Sequence, residues 1–192
     1  MTKITITLPD NNTLVVDKGT TGYEIAQSIS QSLAKQSILV ELNGQLRDLS
    51  FPIIEDSRIK ILKKDSDVAL EIIRHDCAHV MAEAVQQLFP GTKITIGPAI
   101  ENGFYYDFSR KDAFTDDDLV LIENRMHEII EKSETLVREV WDRSKALKYF
   151  KKIDEPYKIE LINDLPEHEE LTIYKHSSWL DLCRGPHMPT TG

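Results

Sequence analysis

The sequence predicts an α+β protein in two domains, on three observations. Residues 1–62 alternate short strand-like segments around one amphipathic helix, the remainder mixes longer helices with short strands, and the charged stretch "KKDSD" (63–67), which holds no apolar residue, separates them. There are no internal repeats and no low-complexity tracts.

Each element follows from local chemistry. "KITITLP" alternates apolar and polar residues as a half-buried strand does, and "NNT" turns the chain into "LVV". "KGTTGYEIAQSISQSLAK" reads as a loop and a helix, with Thr20 or Thr21 as N-cap and Ile25, Ile29 and Leu33 on one face. "SILVELNGQLRDL" is a hairpin about Asn43-Gly44, a pair that tolerates the left-handed backbone of a two-residue turn. "RIKIL" adds a last strand. Strand, strand, helix and further strands in about 62 residues is the order of a ubiquitin-like β-grasp, so the first domain is expected at 1–62.

The second domain is expected at 68–192. It opens with a helix containing "IIRHDCAHVMAEAV", whose residues Ile73, Cys77, Val80, Ala84 and Leu88 cluster on one side at 100° per residue. "KITIGPAIENGFYYDF" (93–108) reads as two strands about a turn that includes Asn102-Gly103. "FTDDDLVLIENRMHEIIEKSE" is a helix capped by Thr115, with three aspartates in its first turn and a stripe of Leu119, Ile122, Met126 and Ile129. A strand at "LVREVW", short helices near 143–152 and 155–163, and strands at "LTIYKH" and "WLDLC" complete the set.

Bulk properties exclude several classes. No run of 18 apolar residues exists, and "MTKITITLPD" lacks the apolar centre of a signal peptide. Two cysteines, Cys77 and Cys183, are too few for a disulfide framework, so a reducing, cytoplasmic setting is expected. The formal net charge of −9 argues against this chain gripping a polyphosphate unaided, because such binding is driven by Lys and Arg displacing counterions.

His75 and His79, four apart on the helix, fall opposite its apolar stripe and beside Ala78 and Ala82. They face either solvent or a cleft. Near the other end, "DLCRGPH" sets Cys183 and His187 four apart through a loop that Gly185-Pro186 keeps non-helical. Two imidazoles, a thiol and a third imidazole suit a tetrahedral zinc site. They equally suit water activation and proton shuttling near neutral pH. Taken without further context, a histidine pair on a helix is more often solvated or structural.

"HDCAH", "IGPAIENGFYYDF" and "DLCRGPH", in this order behind a β-grasp domain, resemble the N-terminal part of bacterial-type threonyl-tRNA synthetases. The HxxxH and CxxxH pair is shared with alanyl-tRNA synthetases and their free-standing editing relatives, whereas "GFYYDF" and the leading domain (TGS in that family) are specific to the threonyl enzymes. The resemblance covers essentially the whole chain. It implies a TGS domain followed by an α+β editing domain that hydrolyses serine wrongly esterified to threonine tRNA. Such editing answers a physical limit, since one methyl group in a binding pocket discriminates by only about 1–3 kcal/mol.

The resemblance also implies a site. His75, His79, Cys183 and His187 match the family's four-residue set, Lys158 of "PYKIEL" and Asp181 of "LDLC" its supporting pair, and Tyr106 with the backbone at Gly97-Pro98 its contacts to the seryl-adenosine end. His75 is expected to hydrogen-bond the terminal ribose hydroxyl and a water, Lys158 to assist proton transfer, and Cys183 and His187 to place water at the carbonyl. A Cys183 nucleophile is the less favoured alternative. On their own residues, Lys158 reads equally as a solvated lysine, Tyr105 or Tyr106 as core, and Asp181 as a partner of Arg184; His127, His168 and His176 receive no role. No metal is expected for editing, with zinc on His75, His79, Cys183 and His187 as the alternative; ATP and a zinc belong to the aminoacylation core of the full-length enzymes.

The sequence ends at "PHMPTTG" with no aminoacylation motif, so an N-terminal fragment with a truncated editing domain is expected. Its expected partner is threonine tRNA mischarged with serine, with no membrane; the full-length family proteins are expected to be homodimers and this chain a monomer. Two other functions remain open: a zinc-stabilised tRNA-binding module, and a free-standing editing factor of alanyl type.

Overall fold

The computed structural model describes residues 2–192 and divides into two compact units, Met1–Ile73 with Gly185–Pro189, and Arg74–Arg184 with Thr190–Gly192. The overall composition is α+β.

The first unit is built on a five-stranded mixed sheet. Strands β1 (Lys3–Thr7), β2 (Thr13–Asp17), β3 (Ser37–Leu42), β4 (Gln45–Asp48) and β5 (Ser57–Lys63) lie in the order β2-β1-β5-β3-β4. Only β1 and β5 run parallel. A parallel pair needs a crossover connection, and helices α1 (Gly22–Ile29) and α2 (Gln31–Gln36) lie within it. Thr21 caps α1 in a capping box with Glu24. Ile25 packs against Ile4, Ile6, Val40, Ile53 and Ile59. A Cβ at Gly22 would fall 2.9 Å from that of Val40, so the close approach of α1 to β3 requires glycine. Asn43 and Gly44, at φ 50° and 83°, close the β3–β4 hairpin.

One expectation for this unit is corrected. Ser30 is extended at φ −165° and serves as both C-cap of α1 and N-cap of α2. The helical period restarts there, leaving Ile29 exposed while Ala26 and Ala34 are buried.

Helix α3 (Ala69–Leu88) contains the division between the units, at Ile73/Arg74. In the second unit it is buried on two faces. Val80, Ala84 and Val85 pack against Ile122 and Ile129 of α4 (Asp116–Lys132), while Ala78 and Ala82 pack with Ile94 and Tyr106. Small residues on the second face let other segments approach the helix closely. Ile73, expected on the apolar stripe, is instead exposed. Thr115 caps α4 in a capping box with Asp118. Leu119 is also exposed, because the packing of α4 against α3 begins one turn later at Ile122.

The segment from Lys93 to Ser109 is a hairpin in two short ladders: β6 (Lys93–Ile94) with β9 (Phe108–Ser109), and β7 (Ala99–Ile100) with β8 (Gly103–Phe104). Because Ile100 pairs with Gly103, the turn centres on Glu101-Asn102, one residue earlier than the Asn-Gly signal suggests. A meander of β10 (Val137–Trp141), β11 (Leu171–His176) and β12 (Trp179–Leu182) forms a three-stranded antiparallel sheet. Helices α5 (Arg143–Lys152) and α6 (Pro156–Asp164) cover it through Phe150, Ile162, Leu171 and Ile173. Among the described residues no helix is long and apolar enough to cross a membrane.

Candidate active site

Helical geometry stacks His75 and His79 one turn apart on α3, with ring centroids 4.8 Å from each other. Cys183 directly follows β12. Its backbone N–H donates to the Thr172 carbonyl at 3.1 Å and its carbonyl accepts from the Thr172 hydroxyl, so the end of the β11–β12 pair fixes its position. The Cys183 sulfur lies 3.1 Å from His75 Nε2. The ring nitrogens of His75 and His79 and this sulfur are all within 4.8 Å of one another.

A second layer supports this group. Lys158 and Asp181 are 2% and 1% exposed, with Nζ 2.7 Å from Oδ1. Pro156 at the start of α6 carries Lys158 in the helix's first turn. Its Nζ also donates to the Thr95 carbonyl at 2.7 Å and to the Tyr106 hydroxyl at 3.2 Å. That hydroxyl donates to Asp181 Oδ2 at 2.8 Å, and the Leu182 N–H donates to Oδ1 at 2.7 Å. His79 Nδ1 stands 3.6 Å from Oδ2 of the same carboxylate. Burial, and then the Asp181 charge, push the Tyr106 phenol far above its ordinary value, so it remains a hydrogen-bond donor.

Tyr106 is buried and Tyr105 exposed, as alternation along an extended chain demands. The Tyr106 ring stacks on Phe108 and lies directly over Gly97, where a Cβ would fall 2.7 Å from Cε2 and closer still to Cδ2. The Pro98 carbonyl accepts from the Tyr105 N–H at 3.4 Å, so the Gly97-Pro98 segment runs beside the two tyrosines. Arg184 pairs with Glu169 at 2.6 Å, which leaves Asp181 to Lys158. Cys183 opens onto a cavity of about 340 Å³ walled by Ile96, Leu161, Leu171 and Leu182.

The second unit therefore gathers His75, His79, Cys183, Lys158, Asp181 and Tyr106, with Gly97 against Tyr106 and Pro98 adjoining it in the chain. His187 lies in the 185–189 segment of the first unit, buried, with its backbone N–H donating to Asp48 Oδ1 at 2.8 Å. His127 and His168 are exposed. His176 is not. It is buried with Nδ1 3.4 Å from Glu83 and 3.7 Å from Glu134, a cluster that sequence reasoning missed. It also missed Trp179, Gln86 and Glu155. A signal for part of this existed: Ala82, Glu83 and Gln86 continue the His75–His79 side of α3 at spacings of three and four.

Residues 4–63 match the family model described as the TGS domain. Over 187 residues the chain is 53% identical to the threonine–tRNA ligase of Pelagibacter ubique, covering 97% of this chain and 29% of that protein. It is 52% identical over 192 residues to the enzyme of the same name from Rhodopseudomonas palustris, covering 100% of this chain and 29% of that one. For Rickettsia bellii the identity is 51% over 189 residues, 98% of this chain and 30% of the relative. The chain thus spans less than a third of the length of the curated relatives it matches. With a TGS domain of β-grasp fold at residues 4–63 and about half its residues shared along its full length, the chain is homologous to the N-terminal part of bacterial threonine–tRNA ligases.

Proposed function

We propose that residues 68–192 form an editing domain that hydrolyses the ester joining serine to threonine tRNA, behind a TGS domain at 1–62. The observation that carries this reading is the His75, His79 and Cys183 group standing on the buried Lys158–Asp181–Tyr106 network, in a chain half identical to threonine–tRNA ligases. Partner and setting follow from it: threonine tRNA mischarged with serine, in the cytoplasm. The aminoacylation core, with its ATP and zinc, and the dimer contacts belong to the remaining length of such enzymes.

The geometry supports the following roles. His75 hydrogen-bonds the terminal ribose hydroxyl and a water; the water adds to the seryl carbonyl as the imidazole takes its proton, and the ester C–O bond then breaks as the imidazolium returns that proton to the departing ribose oxygen, releasing serine. Asp181 faces His79 Nδ1 at 3.6 Å, beyond hydrogen-bond distance, and the field of its carboxylate favours the ring orientation that turns Nε2 to the reacting groups. Lys158 already directs its N–H groups at Thr95, Tyr106 and Asp181, so it acts as a fixed charge beneath the site rather than as a proton carrier touching the ester. Gly97, Pro98 and Tyr106 shape the wall that receives the seryl-adenosine end. His187, four residues beyond Cys183, completes the set by its residue type.

One observation favours a second route. His75 Nε2 lies at hydrogen-bond distance from the Cys183 sulfur, so a base stands beside the thiol. In that route the thiolate attacks the carbonyl, the ribose oxygen departs with the imidazolium proton, and water then hydrolyses the thioester. The alternative of zinc on His75, His79, Cys183 and His187 is supported by the donor types, and such an ion would polarise the carbonyl or acidify a bound water.

The test is deacylation of seryl-tRNA(Thr) against threonyl-tRNA(Thr) by the chain and by His75→Ala, with and without a chelator. Serine-selective hydrolysis lost in the variant supports editing. Absence of hydrolysis by the folded wild type overturns it for this chain. Selectivity for seryl-tRNA(Ala) instead would place the chain with the alanyl-type factors, and chelator-induced unfolding would favour a zinc-stabilised module.

A further inference from the structure

His79 is enclosed by more than the residues given chemical roles above. The Trp179 ring meets the imidazole edge to face, with centroids 5.8 Å apart and planes at 77°. Trp179 begins β12 and belongs to the same packed group as Ala78, Ala82, Ile94 and Tyr106, and its position is set by an unbroken polar chain. Its indole Nε1–H donates to Gln86 Oε1 at 2.8 Å, and Gln86 Nε2–H donates to Glu155 Oε1 at 2.6 Å. The other Glu155 oxygen accepts from the Ile94 N–H at 3.2 Å.

Glu155 occupies the N-cap position of α6, yet its side chain makes no capping bond there. The carboxylate is directed to Gln86 and Ile94 instead. Two donors on it, in a buried setting, connect the strand entering the site (β6), the helix bearing the histidines (α3) and the helix bearing Lys158 (α6). Burial raises the Glu155 carboxyl above its ordinary value, and the Ile94 hydrogen bond and the nearby Lys93 and Lys158 charges oppose that rise.

We propose that Trp179 is a positioning residue for His79, held by Gln86 and Glu155, and that it fixes the imidazole plane so that Nδ1 stays turned toward Asp181. The inference rests on the ester-hydrolysis reading given above. Three groups fix the plane from different directions: Asp181 at Nδ1, Trp179 against one edge, and His75 one turn away at 71°. Removing the tryptophan contact takes away one of the walls that oppose rotation of the ring about its Cβ–Cγ bond. Reacting groups displaced by about 1 Å lose rate by up to about a hundredfold while substrate contacts elsewhere persist.

The experiment uses the 192-residue chain, with Trp179→Phe and Gln86→Met as variants. The first keeps an aromatic edge beside His79 but loses the indole donor; the second breaks the chain without touching the ring. Deacylation of seryl-tRNA(Thr) gives kcat and KM, and nitrogen-15 spectra of the histidines report the His79 tautomer independently of activity. In both folded variants kcat is expected to fall about tenfold to a hundredfold with KM within about twofold. The His79 nitrogen shifts are expected to change as the ring turns away from the Asp181 carboxylate. Unchanged kcat and unchanged nitrogen shifts overturn the proposal. So does failure of both variants to fold, which would make the network a determinant of the fold alone. A wild type without hydrolytic activity overturns the editing reading, while the His79 shifts still decide whether Trp179 positions the ring.

Discussion

Lys158 and Asp181 form an ion pair almost wholly withdrawn from water, with Nζ 2.7 Å from Oδ1 and 3.0 Å from Oδ2. Taking two charges out of water is costly, and what offsets the cost is their attraction together with the bonds to Thr95, Tyr106 and Leu182. Lys158→Met strands a buried carboxylate and is expected to destabilise the chain by about 3–5 kcal/mol. Urea unfolding checks this. The double change Lys158→Met with Asp181→Leu removes both charges and is expected to recover much of the loss; equal losses in the single and double variants would show that shape, not charge, governs the position.

A second prediction concerns backbone approach. Gly97 lies under the Tyr106 ring with no room for a Cβ. Gly97→Ala is expected to displace the ring from Asp181 and to cost about 1–3 kcal/mol through overpacking. Tyr106→Phe keeps the ring and removes only the hydroxyl, so its unfolding curve separates the packing contribution from the hydrogen bond. Full stability in Gly97→Ala would mean that the ring yields freely.

The Asn43-Gly44 hairpin and the caps at Thr21 and Thr115 were legible in the sequence because each depends on residues within four positions of one another. What was not legible depends on distant contacts. Ser30 breaks a helix whose apolar period continues through it when only side chains are read. Leu119 lies on the stripe of α4 but beyond the reach of α3. The histidine spacing and the CxxxH loop pointed to a shared site, and His75 does meet Cys183 across 108 positions of sequence. Lys158 and His176 read as polar surface residues because nothing beside them in sequence reveals the carboxylates that make their burial tolerable. Their partners, Asp181 for the lysine and Glu83 and Glu134 for the histidine, come from other elements.

Metal dependence separates the two readings of the histidine–cysteine group. If His75 and Cys183 meet by a hydrogen bond, chelator treatment is expected to change neither the melting temperature nor the deacylation rate, and added zinc is expected to inhibit by capturing the thiolate. If the group holds zinc structurally, chelation lowers the melting temperature steeply, because binding free energy is then folding free energy. Paired thermal melts with chelator and with zinc distinguish them in one afternoon of measurement, and the Cys183→Ala variant shows whether the effect runs through that sulfur.

The last prediction follows from Glu83. Burial first, and the neighbouring Glu134 charge second, push its carboxyl up to about 7, against the smaller opposing effects of Lys132 and the Gln87 hydrogen bond at 2.8 Å. An unfolded glutamate titrates near 4.5, so between these values the folded chain holds a proton that the unfolded chain releases. The contribution of Glu83 to stability is therefore fully present below about pH 4.5 and is lost as pH rises through about 7. Glu83→Gln keeps an oxygen facing His176 Nδ1 and removes the titration. Melting temperatures measured from about pH 5 to about pH 8 are expected to decline more steeply for the wild type than for the variant, which gains most at the alkaline end. Parallel curves would show that Glu83 is ionised throughout this range, its charge balanced by His176 and Lys132 rather than suppressed by burial.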